Sequence, residues 1–168
     1  MQWSKDGGTT ASDIFKATAG QMILAFFRYK VDNSSTDAHT KSDTWVGLSS
    51  PDTGLLASDA DVAAIIKLSG AATMIGSIAV GGTATDTAAL ASSLVDNTYI
   101  AVGIRINGVT SIEFWQGTTF ANMTRSATQT TVTNIPTAGM GLSWAFNTSE
   151  AVAIDFYLQH AIAIQEAL

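Results

Sequence analysis

Apolar residues recur at every second position along most of this chain, which is the pattern of strands with one buried face. The segment Ala151–Gln165 shows it most clearly, because one set of alternate positions holds Val152, Ile154, Phe156, Leu158, His160, Ile162 and Ile164. A helix does not produce strict alternation over so long a span. We therefore predict one long strand here, central to a sheet.

The segment Tyr99–Thr124 predicts a three-stranded meander. Two runs of apolar character flank Asn107-Gly108, and a third run follows Gln116-Gly117. Asn-Gly supplies the positive φ angles of a two-residue type I′ turn, so this dipeptide between alternating runs indicates a hairpin. The meander places the chain in the all-β class.

The segment Gln21–Val31 predicts a strand with apolar residues on both faces of its first half. Ile23, Ala25 and Phe27 share one face with Tyr29 and Val31, whereas Met22, Leu24 and Phe26 share the other with Arg28 and Lys30. A strand with this pattern is buried between two layers at one end.

Further strands are predicted at Thr44–Ser50, Val62–Ser69, Thr73–Val80, Thr130–Ile135 and Met140–Phe146. Asp86–Leu94 is rich in Ala and Leu, which favour a short helix. About ten strands without β-α-β alternation predict a two-sheet antiparallel sandwich or jelly roll with at most one short helix.

The chain divides into an N-terminal arm, residues 1–19, and a sandwich domain, residues 20–168. The arm is polar and glycine-rich, and its apolar anchors are Trp3, Ile14 and Phe15. It is either a disordered terminus or an extended segment that docks onto another subunit. Trp3 and Phe15 are therefore candidate contact residues.

Composition narrows the possible partners. Charged residues make up only 13% of the 168 positions, against about 25% in typical domains. A surface of small uncharged residues suits permanent contact with neighbours, although a small-residue-rich β protein has the same composition. The net charge of −6 and the scattered basic residues argue against nucleic acid, and no apolar run approaches the roughly 20 residues that cross a bilayer.

Residues able to carry chemistry are few. The chain has no cysteine, which excludes disulfides and thiolate metal ligands, and the two histidines, His39 and His160, are not at ligand spacing. The loop acids Asp52, Asp59 and Asp61 lack a calcium-loop pattern and are better explained as turn residues that bind backbone amides. Glu113 and Asp155 are the only candidate pair of strand carboxylates for glycoside cleavage, and they share no strand.

Trp115 is the most informative candidate binding residue. Ile112 and Phe114 alternate with it and are expected to enter the core, so Trp115 points outward together with Glu113. An outward tryptophan stacks on a sugar, anchors a protein interface, or covers one end of the sandwich under a loop. Glu113 is accordingly expected to face solvent or an interface.

Four segments resemble the concanavalin A-like (laminin-G-like) sandwich, in particular the versions in tailed-bacteriophage virion proteins. They read AFFRYKV, DTWVGLSSPDTGLLASDADVAAIIKL, YIAVGIRINGVTSIEFWQG and AVAIDFYLQHAIAIQ. The likeness covers Gln21–Leu168. The calcium loop of the lectin branches and the paired glutamates of the enzymatic branches have no counterpart here, so the resemblance implies no metal, no cofactor and no catalytic residue.

The resemblance implies a non-enzymatic structural protein of the phage virion. The expected role is a capsid decoration (cement) protein that binds the major capsid protein, self-associates as a homotrimer, and lies on the capsid surface after assembly in the host cytoplasm. The alternative is a carbohydrate-binding module of a phage fibre or spike that recognises a glycan through Trp115.

Overall fold

Alternating apolar positions fold the chain into eleven described strands in the computed structural model, which describes residues 14–32, 37–50, 61–71, 73–148 and 153–167. The strands are β1 Phe15–Lys16, β2 Met22–Asp32, β3 Ser42–Ser49, β4 Val62–Lys67, β5 Thr73–Val80, β6 Thr83–Ser93, β7 Ile100–Asn107, β8 Ser111–Gly117, β9 Thr124–Gln129, β10 Gly139–Thr148 and β11 Asp155–Gln165. Two short 3₁₀ turns, Phe120–Asn122 and Val132–Asn134, complete the described secondary structure.

The strands form two antiparallel sheets that pack face to face. The six-stranded sheet has the order β1-β10-β3-β4-β5-β6, and the five-stranded sheet has the order β11-β2-β7-β8-β9. This arrangement confirms the predicted all-β, two-sheet antiparallel sandwich of the jelly-roll type. The first two strands of the predicted meander are confirmed as β7 and β8, which pair with each other. The third strand is displaced, because residues 118–123 hold a 3₁₀ turn and β9 begins only at Thr124.

The core lies between the sheets and contains the predicted inner face of β2. Alternate residues of this strand are buried, from Ile23 to Val31. Tyr29 is the largest of them, and its hydroxyl lies 3.4 Å from Thr44 Oγ1 and from Met74 Sδ. Burial raises the pKa of Tyr29 to about 12, against a small opposing effect of the Thr44 hydrogen bond.

The turn at Asn107-Gly108 differs from the predicted type I′ turn. Asn107 remains in β7 and pairs with Ser111, so residues 108–110 form a three-residue loop in which Gly108 has a φ of +55°. A contact from outside the hairpin explains the difference. Gly108 N donates to Gln21 O at 2.7 Å, and a Cβ at Gly108 would lie 3.1 Å from Thr18 O.

The predicted helix at Asp86–Leu94 is wrong, because this segment belongs to β6. Pairing with β5 satisfies its backbone, and Leu90 and Leu94 are buried in the core. The free energy gained from strand pairing and from burying these leucines outweighs a helix propensity of a few tenths of a kcal/mol per residue.

The predicted strand at Thr130–Ile135 is also wrong, because its centre forms a 3₁₀ turn. Local bonds from Asn134 N to Thr131 O and from Ile135 N to Val132 O replace the ladder bonds of a strand. The Asn134 side chain in addition donates to Thr85 Oγ1 at 2.5 Å.

The last strand departs from prediction in position and in register. β11 is at the edge of its sheet rather than at the centre, and a bulge interrupts its pairing with β2 between Leu158 and His160. The bulge exchanges the two faces of the strand. Ile162 and Ile164 therefore lie on the outer surface, 45% and 57% exposed, although they continue the alternation of the inward Leu158.

Lys67 joins β4 to the loop before β3. It is only 1% exposed, and its ammonium donates to the carbonyl oxygens of His39 and Ser42. Burial lowers the pKa of Lys67 to about 8, while the carboxylates of Asp43 and Asp96 act in the opposite direction. The bonds satisfy two backbone acceptors at the cost of burying a charge.

Replacing this lysine with an uncharged side chain tests its burial through pH. The unfolded chain retains the Lys67 proton up to about pH 10.5, and the folded chain loses it near pH 8, so the unfolded state binds more protons between these values. The free energy of unfolding of the wild type, minus that of Lys67→Met, is expected to rise across this window by at most about 1.4 kcal/mol per pH unit. Urea titrations of both proteins measure it.

Tyr29 does not disturb this comparison. Its raised pKa makes the folded state less stable only above about pH 10, and it does so equally in both proteins. A difference that is constant or falls between pH 8 and 10 would contradict the assignment of a buried charge at Lys67.

Candidate functional site

The candidate site is on the outer face of the five-stranded sheet. Register places Leu24 of β2 opposite Arg105 of β7, and Arg105 opposite Glu113 of β8. Two residues further along each strand, Phe26 of β2 lies opposite Gly103 of β7, and Gly103 lies opposite Trp115 of β8. Alternation within each strand therefore gathers these side chains on one surface.

A groove of about 470 Å³ crosses this face. Its lining is mostly apolar and consists of Met22, Leu24, Phe26, Ile104, Arg105, Trp115, Phe120 and Met123. The absence of a side chain at Gly103 shapes the floor, because a Cβ there would lie 2.9 Å from the Phe26 ring and 3.3 Å from Met123 Cε. We call this surface the groove face.

The loop after β8 supplies one wall of the groove. Asn122 Oδ1 accepts from Thr119 N at 2.9 Å, and Asn122 Nδ2 donates to Thr118 Oγ1 at 2.8 Å, which closes the 3₁₀ turn. The turn brings Phe120 edge-on to Phe26, with ring centroids 6.0 Å apart. Phe120 also lies 6.0 Å from the ring of His160 on β11.

Glu113 organises the polar groups beside the groove. Its carboxylate accepts from Trp115 Nε1 and from an Arg125 guanidinium nitrogen, each at 3.3 Å, and Arg105 lies 3.6 Å away. Glu113 is only 9% exposed, so it is not the solvent-facing residue that the sequence offered as one alternative, and its place in an interface stays a prediction. It is on the predicted outer face, but its neighbours cover it.

The opposite end of the same face is cationic and aromatic. The Arg28 guanidinium lies 4.6 Å from the centroid of Tyr99 and donates to the side chain of Gln159. Lys30 lies 4.7 Å from the centroid of Tyr157 and pairs with Asp32 at 3.3 Å. Internal contacts therefore engage both cations, whereas the groove lies at the other end of the face.

The sequence indicated four candidate contact residues: Trp3, Phe15, Glu113 and Trp115. The structure places two of them, Glu113 and Trp115, in contact with each other. Trp115 is half-buried on the outer face, as predicted, and contacts Glu113. Phe15 lies apart from them in β1, where it packs against the core beside the inner face of β11. Trp3 lies outside the described residues.

Sequence reasoning missed most of the groove. The sequence predicts that this end of β2 is buried between two layers, but Met22, Leu24 and Phe26 are half-buried and line a surface groove. Their signal was the apolar character of both faces of β2, since a strand with only one covered face has no need of it. Phe120 and Met123 carry no comparable signal, because their position depends on the 3₁₀ turn.

The other chemical candidates do not converge on a site. Asp61 Oδ1 accepts from Gly81 N at 2.7 Å, which is the amide-binding role expected of a turn residue, and Asp59 lies outside the described residues. Within the described ranges, no group of three or more His, Asp or Glu side chains is placed to hold a metal ion. In the same ranges no helix has the length and apolarity needed to cross a membrane.

Comparison with known proteins identifies the fold and no family. No family model and no curated protein matches the chain. A protein of unknown function, SO2946 from Shewanella oneidensis MR-1, aligns with a TM-score of 0.56 at 15% identity over 91% of this chain and 59% of its own. The binding domain of botulinum neurotoxin serotype G aligns with a TM-score of 0.55 at 6% identity over 97% of this chain and 36% of its own.

A third structure, the marine PL7 alginate lyase AlyA1 from Zobellia galactanivorans, reaches a TM-score of 0.44 at 9% identity over 90% of this chain and 64% of its own. The chain thus spans less than two thirds of each of these structures. At such identities the likeness to the first two supports the β-sandwich fold alone.

Removal of the Glu113 carboxylate is expected to loosen the groove face. Glu113→Ala leaves Trp115 Nε1 and the Arg125 guanidinium without their acceptor and removes the ion-pair partner of Arg105, and we expect the free energy of unfolding to fall by about 1–3 kcal/mol. Chemical denaturation measures the change.

Asp155→Ala is the matched control, because Asp155 is an exposed strand carboxylate that accepts from Tyr157 at 3.3 Å. Its loss should lower the free energy of unfolding by less than about 0.5 kcal/mol. Equal effects of the two substitutions would contradict the organising role of Glu113.

Proposed function

We propose that this protein is a non-enzymatic structural protein of a tailed-phage virion, a capsid decoration protein that binds the major capsid protein through the groove face. The observation that carries the proposal is the apolar groove bordered by Trp115, Phe120 and Met123. Tryptophan, phenylalanine and methionine are enriched where protein interfaces bury their central contacts. The sequence resemblance to virion sandwiches supplies the identity of the assembly and the concanavalin A-like form of the fold.

The polar groups of the groove favour a protein partner over a sugar. A sugar site combines an aromatic platform with free donors and acceptors for hydroxyl groups. Here the indole N–H of Trp115 is already bonded to Glu113, and Glu113 also accepts from Arg125. What the groove offers a partner is therefore largely ring and thioether surface, which binds apolar side chains and excludes water.

The low charge content supports the same role. Charged residues are 13% of the chain, and alanine, serine and threonine occupy many exposed positions of β6. Such surfaces lose little solvation when they are covered by neighbouring subunits. A decoration protein is in permanent contact with the lattice, so this composition fits its position.

The proposal predicts that the genome that encodes this chain also encodes a major capsid protein, and capsids assembled from that protein provide the test. Wild-type protein is expected to co-sediment with the capsids, and Trp115→Ala is expected to weaken binding at least about tenfold, as for a central contact residue. Val132→Lys is the control, since Val132 is exposed and lies away from the groove. Circular dichroism verifies that each variant is folded.

Two results would contradict the proposal: no binding of the wild type to capsids, or equal binding of the wild type and Trp115→Ala. Equal loss in Trp115→Ala and Val132→Lys would also count against the groove face, because it would indicate a contact unrelated to the groove.

A carbohydrate-binding role at a phage fibre is the second candidate. The observation in its favour is the pairing of aromatic surface, Trp115 and Phe120, with the partly exposed guanidinium of Arg105 in one groove. If this candidate is correct, the wild type binds a glycan on an array and Trp115→Ala abolishes that binding. The wild type then shows no affinity for capsids in the co-sedimentation experiment. An array without hits would remove this candidate.

A further inference from the structure

β11 has an unusual edge for the outermost strand of a sheet. It is 11 residues long, and among the described residues it pairs only with β2. Natural edge strands are protected from further pairing by lysine, proline, inward-pointing charge, a β-bulge or a covering segment. In β11 the bulge between Leu158 and His160 interrupts the strand, so the question of protection concerns the straight half that follows it. Residues 156–165 contain no Lys, Arg, Asp, Glu or Pro, and the one charged residue of β11, Asp155, precedes the bulge.

The charge that follows the strand is turned away from this edge. Glu166 Oε2 accepts from Met22 N, and Glu166 N donates to Met22 O, both at 3.0 Å. The carboxylate is thereby directed towards β2, on the other side of β11. The straight half of the strand after the bulge, His160–Gln165, consequently presents a backbone edge without charged side chains.

An apolar strip connects this edge to the groove face. Register places Ile162 opposite Phe26 and Ile164 opposite Leu24, so the two isoleucines extend the outer apolar surface to the last strand of the sheet. Both are about half exposed. A partner that adds a strand here pairs with the backbone groups of this edge and places its own outward side chains beside the strip, on the same face of the extended sheet.

We infer that this partner is a second copy of the chain, whose β11 pairs antiparallel with β11 of the first about a two-fold axis at Ile162. A closed two-fold interface requires a surface that complements itself. The straight half of β11 meets the requirement, because it is uncharged and its free backbone can pair with an identical strand.

The bulge restricts the register of the pair to the straight half of β11, and an axis at Ile162 uses most of that half. Opposed residues of an antiparallel pair must lie on the same face of the sheet. With the axis at Ile162, Ile162 faces its own copy and Ile164 lies opposite His160 of the partner subunit, all on outer positions. An axis at His160 would instead place outer residues of one strand opposite inner residues beyond the bulge of the other.

The dimer joins the two five-stranded sheets into one sheet of ten strands, with both groove faces on the same side. This inference does not rest on the proposed function, and its two-fold symmetry differs from the homotrimer that the sequence resemblance implies. Other occupants of the edge, such as residues 1–13 of the same chain or an unrelated protein, leave the purified chain monomeric.

The mass of the full-length protein in solution is the first test. Light scattering coupled to gel filtration is expected to give a dimer for the wild type. Ile162→Lys places two lysines directly opposite each other, with Cβ atoms about 5 Å apart, and removes the apolar contact of the two isoleucines, so it should weaken the dimer at least about tenfold. Val132→Lys, which adds the same charge at a site that is 59% exposed, should remain dimeric.

Cross-linking tests the position of the axis. Because the chain has no cysteine, Ile162→Cys carries a single thiol, and a short bis-maleimide should convert it to a covalent dimer. Val95→Cys, at an exposed site outside β11, should stay uncoupled. A monomeric or trimeric wild type, a dimer that survives Ile162→Lys, or equal cross-linking of the two cysteine variants would each overturn the inference.

Discussion

The pairing of β11 with β2, bulged between Leu158 and His160, is the constraint on which the functional surface depends. Before the bulge the large side chains point inward, and Phe156 stacks on Phe146 with ring centroids 5.3 Å apart. After it, Ala161 and Ala163 face the core. These small inward residues leave room for β1, where Lys16 exchanges two hydrogen bonds with the side chain of Gln165. The large isoleucines are thereby moved to the outer surface.

Many polar side chains on the outer face of the five-stranded sheet contact one another. Glu113 engages Trp115 and two arginines at the groove, and Tyr99 and Gln159 engage Arg28 at the far end. The indole N–H of Trp115 and the carboxylate of Glu113 are thereby already engaged beside the apolar groove. A surface of this kind gains most by burying apolar side chains of a partner, and for this reason the proposed function places the capsid contact here.

The sequence predicted the strands whose pattern is local and missed the features that depend on distant contacts. Alternation sufficed for the sandwich, for the inner face of β2 and for the outward position of Trp115. Helix propensity misled at Asp86–Leu94, where pairing with β5 outweighs it, and the Asn-Gly signal misled at the turn after Asn107, where Gly108 donates to Gln21. The bulge in β11 leaves no mark in the alternation, so the sequence alone placed Ile162 and Ile164 on the same face as Leu158.

Thiol accessibility at single cysteines in β11 tests the central claim most directly, because the bulged register assigns opposite faces to positions that simple alternation would place together. In the folded protein, Ile164→Cys is expected to react with a thiol reagent nearly as fast as in urea, and Leu158→Cys far more slowly. Equal protection of the two thiols would contradict the bulged register and, with it, the apolar outer surface of β11.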